Sequence, residues 1–320
     1  MGKKKIYIVI FIFLLYLFFN NTSLFVKPEA SKPLLLAHRG VAQTFSMAGI
    51  TNDTDTSKRI FSPEHQYLEN TIASMAAAFK FGADIVELDI QMTKEHKFAV
   101  FHDDVLAYRT NGCGVFKEHT MQELKDLDIG YGYTSDGGKT FPFRGQGKGL
   151  MPDLDEVFKN FPQNNFLIHI KSNDSAEGEL LAKVLSVQPL ERRNRLRFYG
   201  GDRPMKALKE KMPELKVMSK ETLMNALMEY IAIGWTGYVP KSCRGAWLHI
   251  PIKYAPLLWG WPYKFMNRMK RAGTEIVLVA GDGKFSEGFD SIEDLKKIPV
   301  NFSGYIWTNR IDKIGPAGQR

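Results

Sequence analysis

Short apolar segments alternate with helical patterns along most of the chain. Several of these segments are apolar on both faces, as parallel strands covered by helices are. Nine are predicted as strands, at residues 34–38, 84–90, 98–102, 165–171, 195–199, 215–219, 247–252, 275–280 and 304–308. Predicted helices include residues 71–81, 121–127, 154–160, 176–185, 204–211, 222–232 and 263–272.

This alternation predicts an α/β protein, a (β/α)8 TIM barrel, since about eight β/α units fit into roughly 280 residues. A doubly wound open sheet fits the alternation too, but no Gly-x-Gly-x-x-Gly sequence follows a strand. The connection between residues 84–90 and 98–102 is too short for a crossover helix. A hairpin turning near Glu95 and His96 would place Asp89 opposite His102, whereas parallel strands would bring both to their carboxyl ends.

The first 26 residues have the pattern of a leader. Three lysines precede an unbroken apolar run from Ile6 to Phe19, and the apolar character resumes at residues 24–26. Such a leader is either a signal anchor that stays in the membrane or a signal peptide that is cleaved. The lysines would remain in the cytoplasm, so the following domain would lie on the extracytoplasmic side, or be secreted or periplasmic after cleavage.

The remaining boundaries follow from composition. Residues 27–33 are predicted as a linker and residues 34–313 as the barrel, with a cap insertion after the third strand at about residues 105–150. The chain has 44% hydrophobic and 24% charged residues, which excludes a disordered protein. Its net charge of +8 fits a solvated surface, or attraction to membrane headgroups or a phosphate-bearing substrate; no nucleic-acid-binding motif accompanies the charge.

Two cysteines, Cys113 and Cys243, are too few for a disulfide framework, and whether they form a single disulfide is left open. No Cys/His cluster indicates a structural zinc site.

Two acids stand on one face of a predicted buried strand. Glu87 and Asp89 are two residues apart, so their side chains project to the same side. Buried carboxylates are costly unless they are paired or bound to a metal, and oxygen ligands suit Mg²⁺ or Ca²⁺. The alternative is the exposed face of an edge strand.

Histidines and cationic side chains fall at the ends of neighbouring predicted strands. They are His38, Arg39, His102, His169 and Lys171. In a barrel the carboxyl ends of the strands form the catalytic face, although each of these residues alone is consistent with a structural role. Together with the two acids they make up the set that phosphodiester hydrolysis needs. A metal and cationic side chains neutralise the phosphoryl oxygens, one histidine activates the nucleophile and the other protonates the leaving alkoxide.

The chain resembles the glycerophosphodiester phosphodiesterase family. The matching segments are LLLAHRG, LENTIASMAAAFKFGADIVELDIQMT, FAVFHDD, RTNGCGVFKEHTMQELKDLD and SGYIWTNRID. The order and spacing of HRG, ENT, Glu-x-Asp and HD are specific to this family, and the match spans most of residues 34–310. The resemblance implies a TIM barrel, a divalent cation, usually Ca²⁺ or Mg²⁺, and hydrolysis of glycerophosphodiesters to glycerol 3-phosphate and an alcohol.

The resemblance also implies residue roles. His38 and His102 are expected to be the acid/base pair, and Arg39 and Lys171 to contact the substrate phosphate.

Glu87 and Asp89 are expected to bind the metal. The family usually has a third carboxylate where this chain has His169. His169 is expected either to ligate the metal or to leave that position to water, and an imidazole ligand would make Mn²⁺ or Zn²⁺ possible.

Glu69 and Asn70 of the ENT segment are expected to support the site, with Glu69 starting the first helix after the leader and orienting the HRG loop. Besides His169, two positions and one insertion depart from the family pattern. Leu68 stands where proline is usual, Asn309 stands where aspartate is usual, and Gly49–Ser62 is a polar insertion at the mouth of the barrel.

The expected partners are a small-molecule substrate and a membrane reached through the N-terminal helix. The cap insertion is rich in glycine and lysine, and it is expected to cover the site and determine substrate choice. Four tryptophans are expected either to pack in the core or to form an aromatic lip that meets a membrane or an acyl chain: Trp235, Trp247, Trp259 and Trp261. Two alternatives therefore remain, lysophospholipase D-like hydrolysis of lysophospholipids and a non-catalytic barrel that binds phospholipid or phosphate.

Overall fold

The computed structural model describes residues 3–51, 53–284 and 287–318. The strands are β1 (Leu34–Ala37), β2 (Ile85–Met92), β3 (Phe98–Val100), β4 (Phe166–Ile170), β5 (Leu196–Gly200), β6 (Lys216–Met218), β7 (Trp247–Pro251), β8 (Glu275–Val279) and β9 (Tyr305–Thr308). The helices are α1 (Lys3–Asn21), α2 (Ile72–Lys80), α3 (Met121–Lys125), α4 (Leu154–Asn160), α5 (Ser175–Ser186), α6 (Leu190–Arg193), α7 (Asp202–Lys211), α8 (Lys220–Ile233), α9 (Tyr263–Arg271), α10 (Ile292–Leu295) and α11 (Ile311–Gly318). Every predicted strand and helix is found, with ends that move by at most two residues. Met1 and Gly2 of the predicted leader and Asn52 of the Gly49–Ser62 insertion lie outside the described residues.

The chain divides into two compact units. The large unit comprises Leu35–Val217 and Thr308–Arg320, and the small unit comprises Met1–Leu34 and Met218–Trp307. The predicted division into a leader at residues 1–26, a linker at residues 27–33 and a barrel at residues 34–313 stays a prediction.

The large unit is built on strands in the order β6-β5-β4-β2-β1. The pairs β1–β2, β2–β4 and β4–β5 are parallel. The aliphatic residues of β2 and β4 pack into one hydrophobic core with helices α2, α4, α5 and α7. On the opposite face of β2 stand Glu87 and Asp89. The register places Asp89 beside His169 and His169 beside Tyr199, so polar side chains of three strands become neighbours.

Strands β2 and β3 form an antiparallel hairpin. The hairpin alternative is therefore right, and the parallel one is wrong. Asp89 lies opposite Phe101, however, and not opposite His102 as predicted, since the Phe101 N–H donates to the Asp89 carbonyl. The difference comes from a three-residue turn at 94–96, in which His96 adopts a left-handed conformation with φ 59°.

The segment that follows β3 has a hydrophobic cluster of its own. Its members from the predicted cap insertion are Leu106, Phe116, Met121, Leu124, Ile129, Tyr133 and Phe143. Phe116 stacks on Phe101 from the end of β3, with ring centroids 5.6 Å apart. Ile60, from the Gly49–Ser62 insertion, is buried in the same cluster. The two segments that interrupt the β/α pattern therefore fold against each other.

The small unit contains the parallel strands β7, β8 and β9 in that order. Trp247 pairs with Glu275 across β7 and β8 and is fully buried, so its place in an aromatic lip is wrong. Trp235, Trp259 and Trp261 are half-buried.

The two cysteines are free thiols. Cys113 is exposed and Cys243 is buried, so the disulfide left open by the sequence is not formed.

Helix α1 leaves its apolar side chains exposed along its whole length. Among the described residues it is the one helix long and apolar enough to cross a membrane, a property shared with signal sequences. This is the helix that the leader pattern predicts.

Candidate active site

The turn after β1 brings backbone and side chains of the HRG segment against β2. Arg39 and Gly40 both have left-handed backbones, with φ 56° and 77°. A Cβ on Gly40 would lie 2.6 Å from the Ser74 hydroxyl and 2.9 Å from its carbonyl carbon, so only glycine fits there. In this conformation the backbone N–H of Arg39 donates to Glu87 Oε2 at 3.1 Å. The turn therefore fixes one carboxylate of the predicted metal site.

Three predicted metal ligands meet on β2 and β4. One ligand atom each of Glu87, Asp89 and His169 lies within 4.8 Å of the others, and both carboxylates are buried. Burial and the neighbouring charge of Asp89 raise the pKa of Glu87 to about 8. Burial opposes ionisation of Asp89 too, but the charge of Arg39 holds its pKa well below its usual range.

His169 is held in the neutral state, since burial lowers the pKa of its imidazole to about 4. Its Nδ1 lies 2.8 Å from Asp89 Oδ1. Its ring stacks on Tyr199 at 4.1 Å between centroids, and the Tyr199 hydroxyl donates to Glu87 Oε1 at 2.7 Å. Tyr199 was missed by sequence reasoning, and the alternation of polar and apolar residues in β5 is the signal that could have found it.

The two supporting residues of the ENT segment contact the site as follows. Asn70, with φ 60°, donates from its side-chain amide to Asp89 Oδ2 at 3.0 Å and accepts from the Asp89 N–H at 3.2 Å. Glu69 accepts from Arg39 Nη1 at 2.8 Å. The prediction that Glu69 starts the helix is wrong. Thr71 caps α2, which begins at Ile72.

The predicted acid/base histidine of β1 lies beside the carboxylates. His38 Nε2 is 3.8 Å from Glu87 Oε2 and accepts a hydrogen bond from Arg39 Nε at 3.1 Å. His38 Nδ1 lies 2.6 Å from the side-chain oxygen of Asn309. Burial, and then the charge of Arg39, lower the pKa of His38 well below its usual range.

The second predicted histidine, His102, lies between Asp103 and Lys171, which contact opposite nitrogens of its ring. Its Nδ1 lies 2.7 Å from Asp103 Oδ1, and Lys171 Nζ lies 3.0 Å from its Nε2. Burial, and then the charge of Arg39, lower its pKa. A neutral His102 with Nδ1–H donating to Asp103 leaves Nε2 as the proton acceptor.

Arg109 joins the two halves of the site and was not predicted. It forms a close ion pair with Asp103, lies 3.5 Å from Glu69 Oε1 and donates from Nη2 to Thr56 at 2.7 Å. Its Nε also donates to the Tyr133 hydroxyl at 2.9 Å. Arg109 is therefore tied both to the cap segment and to the Gly49–Ser62 insertion.

These contacts form a chain of alternating charges between the two histidines. In order its members are His102, Asp103, Arg109, Glu69, Arg39 and His38. We call it the ionic chain. Every residue predicted for the site belongs to this chain or touches a member of it or the carboxylate pair, so the structure gathers all nine of them in the large unit.

The charges of the site do not balance. Four carboxylates face three cationic side chains: Glu69, Glu87, Asp89 and Asp103 against Arg39, Arg109 and Lys171. Glu87, with its raised pKa, is the acid that stays protonated without a further cation, and when it ionises one negative charge is in excess among buried side chains. A cation at the convergence of Glu87, Asp89 and His169 would neutralise it, so the donor set fits a divalent metal.

Residues 38–219, more than half of the chain, match the model of the Glycerophosphoryl diester phosphodiesterase family. A glycerophosphodiester phosphodiesterase of Bacillus subtilis (strain 168) is 38% identical over 124 residues, which are 38% of this chain and 41% of that protein. A lysophospholipase D of Homo sapiens is 32% identical over 136 residues, 42% of this chain and 40% of that protein. The chain thus spans about two-fifths of the length of these curated relatives.

Among solved structures, an Oleispira antarctica phosphodiesterase in complex with the product sn-glycerol-3-phosphate aligns with a TM-score of 0.58 at 19% identity. The alignment covers 90% of this chain and 97% of that one. At this identity the likeness shows the fold, and the predicted TIM barrel is confirmed. Because the family model covers more than half of its length, the chain belongs to the glycerophosphoryl diester phosphodiesterase family.

Proposed function

We propose that the protein hydrolyses glycerophosphodiesters to glycerol 3-phosphate and an alcohol by acid/base catalysis between His38 and His102. The observation that carries this proposal is the ionic chain, which fixes two neutral imidazoles around one buried carboxylate pair. Family membership and the relative named as a glycerophosphodiester phosphodiesterase support it.

Glu87, Asp89 and His169 would hold a divalent cation. Bound there, the cation would supply positive charge to the phosphoryl oxygens of the substrate. Two carboxylate ligands suit Mg²⁺ or Ca²⁺, and the imidazole of His169 makes the site compatible with Mn²⁺ or Zn²⁺ as well.

We assign His102 as the group that takes a proton from the attacking oxygen. Asp103 accepts from its Nδ1–H and would stabilise the imidazolium that forms. His38, whose Nδ1 lies against the Asn309 oxygen, would protonate the leaving alkoxide from Nε2. For this step Nε2 takes up a proton from solvent once the substrate phosphate draws Arg39 away from it, and His38 returns to the neutral state when the alkoxide has taken that proton. In both histidines the nitrogen that handles the proton is Nε2. In the structure Nε2 of His102 accepts from Lys171, and Nε2 of His38 accepts from Arg39.

Arg39 and Lys171 are suited to hold the phosphate. Lys171 Nζ lies against the reactive nitrogen of His102 and is half-buried. The hydrogen bonds that Arg39 makes to described residues use Nε and Nη1, which leaves Nη2 for a phosphoryl oxygen.

The proposal is tested by turnover of glycerophosphocholine with glycerol 3-phosphate as the measured product. His38→Gln and His102→Gln should each lose at least about 100-fold in kcat, since general acid/base groups contribute factors of this size. His119→Gln is the matched control, because His119 lies on the surface of the cap segment and contacts a backbone carbonyl there. Unchanged hydrolysis in both His38 and His102 variants would refute the assignment, and hydrolysis absent from the wild type would favour the non-catalytic barrel.

A second candidate function is lysophospholipase D-like hydrolysis, in which the same bond is cut while an acyl chain remains. It is supported by the human relative of that name and by the apolar helix α1. Parallel assays with glycerophosphocholine and lysophosphatidylcholine separate the two, because only the second activity gains from the acyl chain. A higher kcat/KM for the lysophospholipid would replace our first proposal with this one.

Helix α1 is proposed as an uncleaved membrane anchor, with Lys3–Lys5 on the cytoplasmic side and the enzyme on the other. Its exposed apolar surface and the lysines that precede it support this arrangement. Protease added to intact cells should then digest the large unit, and the protein should keep its N-terminal helix.

A further inference from the structure

The carboxyl-terminal turns of α1 are fastened to one turn of the small unit, the 3-10 turn Gly234–Thr236. The carbonyl of Trp235 accepts from the side-chain amides of Asn20 and Asn21, both at 2.8 Å, and the Tyr16 hydroxyl donates to the Thr236 carbonyl at 3.0 Å. Trp235 also makes an edge-to-face contact with Phe13, with centroids 5.6 Å apart.

Helix α9 closes the other side of this attachment. Arg268 donates to the Asn20 carbonyl at 2.8 Å and to the Asn21 side chain at 3.1 Å, and Lys264 donates to the Phe19 carbonyl. The end of α1 therefore has side-chain contacts on two elements of the small unit and is not connected by a flexible linker alone.

The length of α1 sets the depth of this attachment if the helix crosses a bilayer. At 1.5 Å per residue, the apolar run from Ile6 to Phe19 is roughly 21 Å long, against a hydrocarbon core of about 30 Å. The attached segment, from Phe13 to Asn21, occupies about the last 12 Å of the helix. The attached segment is part of the span itself, so in a bilayer the 3-10 turn beside it would lie at the depth of Phe13 to Asn21, in the outer leaflet.

Helix α8 leads directly into that turn and carries an exposed apolar face. Met224, Met228 and Ile231 are spaced i, i+4 and i+7 and are 47%, 59% and 40% exposed. The buried face of α8, marked by Ala226 and Tyr230, is on the opposite side. A stripe of this kind on one helix face is typical of an interaction surface.

We infer that Met224, Met228 and Ile231 form a second lipid contact, which seats the small unit on the same outer leaflet through which α1 passes. This inference rests on the proposed anchor and is independent of the proposed catalysis. Ile231 and Met228 are only about 6–10 Å along the helix from Trp235, which α1 holds in the outer leaflet. Flexible methionines suit a fluid lipid surface, since they adapt their shape to irregular neighbours.

Basic residues border the stripe, as contact with anionic headgroups requires. Lys220 lies one helical turn before Met224 on the same face. Lys241 and Arg244 are exposed on the segment that follows α8, which is joined to the helix by the hydrogen bond from Ser242 to Glu229 at 2.7 Å, on a different face from the stripe. A cation in this position is attracted to the anionic headgroups.

The test uses the full chain in nanodiscs of phosphatidylcholine with phosphatidylglycerol. In a Cys113→Ser background, Met228→Cys and Ile231→Cys are each labelled with an environment-sensitive fluorophore, since Cys243 is buried. Val187→Cys, which is 79% exposed in the large unit, is the matched control. A far-UV circular dichroism spectrum and a melting temperature equal to those of the wild type check that each labelled variant is folded.

We expect labels at residues 228 and 231 to shift to the blue and to lose most of their emission to lipids brominated in the acyl chain, while the label at residue 187 keeps its emission. If the protein remains with the nanodisc but the labels at residues 228 and 231 are not quenched, the lipid contact of α8 is refuted and the proposed anchor is retained. Quenching at all three positions would overturn the lipid contact as well, because the contact would not be specific to α8. A chain that does not remain with the disc would refute both the anchor and the lipid contact.

Discussion

Replacing Arg109 by methionine tests whether the ionic chain holds the site together. The substitution keeps much of the side-chain length but removes the charge between Asp103 and Glu69. Both carboxylates are buried, and the charge of Arg109 helps to keep the pKa of each below its usual value against the cost of burial. In the variant Asp103 retains His102 and Glu69 retains Arg39, but each acid loses one cationic partner.

The expected cost is large because a buried charge is left uncompensated. Breaking a buried ion pair from one side lowers the free energy of unfolding by about 3–5 kcal/mol. The difference in unfolding free energy between the variant and the wild type should become smaller as pH falls towards the ordinary carboxyl range. Protonation of Asp103 and Glu69 in the variant removes the excess negative charge there. Loss of the fixed position of His102 should lower kcat by up to about 100-fold with little change in KM, since Arg109 acts as a positioning residue.

The measurements are urea unfolding followed by tryptophan fluorescence at several pH values, and steady-state hydrolysis of glycerophosphocholine. Arg203→Met is the control, since Arg203 is exposed in the first turn of α7 and its loss should change the unfolding free energy by less than about 0.5 kcal/mol. Arg109→Lys restores the charge without the planar fork and should recover part of the stability. An Arg109→Met enzyme that loses less than about 1 kcal/mol and keeps its kcat would refute the reasoning, because that cost is typical of an exposed pair.

Three further predictions concern single side chains. Burial raises the pKa of Glu177 to about 7, so the wild type should lose stability as pH rises from about 4.5 to 7. Glu177→Gln should therefore melt at a higher temperature than the wild type at pH 8 but not at pH 4. Equal melting temperatures of the two proteins at pH 8 would contradict this prediction. Tyr199→Phe removes the hydrogen bond to Glu87 and should weaken Mn²⁺ binding in calorimetry by about 10–100-fold, whereas unchanged affinity would mean that Glu87 is not a ligand. His169→Glu should shift the cation retained after dialysis from Mn²⁺ or Zn²⁺ towards Mg²⁺ or Ca²⁺, and an unchanged preference would exclude His169 from the metal site.

Every strand and helix that the alternation of apolar and polar residues predicts is present in the structure, and the same alternation located the carboxylate pair. The aliphatic residues of β2 must face the core, and this forces Glu87 and Asp89 to the other side whatever the tertiary structure. The hairpin register was missed by one residue because it depends on the turn. A three-residue turn with a left-handed His96 pairs Asp89 with Phe101, and the sequence near Glu95 does not state the turn length.

Arg109 and Tyr199 were missed for different reasons. Arg109 begins one of the segments that match the family, but its partners come from four separate parts of the chain, so no local pattern indicates its role. Tyr199 reaches Glu87 only because β4 separates β5 from β2 in a fixed register. That strand order becomes visible only in the folded chain.

The sequence left two alternatives open for the tryptophans, core packing and an aromatic lip. Trp247 is buried in β7, so core packing is right for this residue. The apolar face of α8 has ordinary helical spacing, so the sequence could not distinguish an exposed methionine stripe from a buried one.

The most direct test of the central claim is to identify the products that the purified full chain releases from glycerophosphocholine before chelation, after chelation and after cation is restored. The account predicts glycerol 3-phosphate and choline in equal amounts, loss of both after chelation, and recovery on adding back one of Mg²⁺, Ca²⁺, Mn²⁺ or Zn²⁺. Phosphocholine and glycerol as products, or full activity in the chelated enzyme, would contradict it.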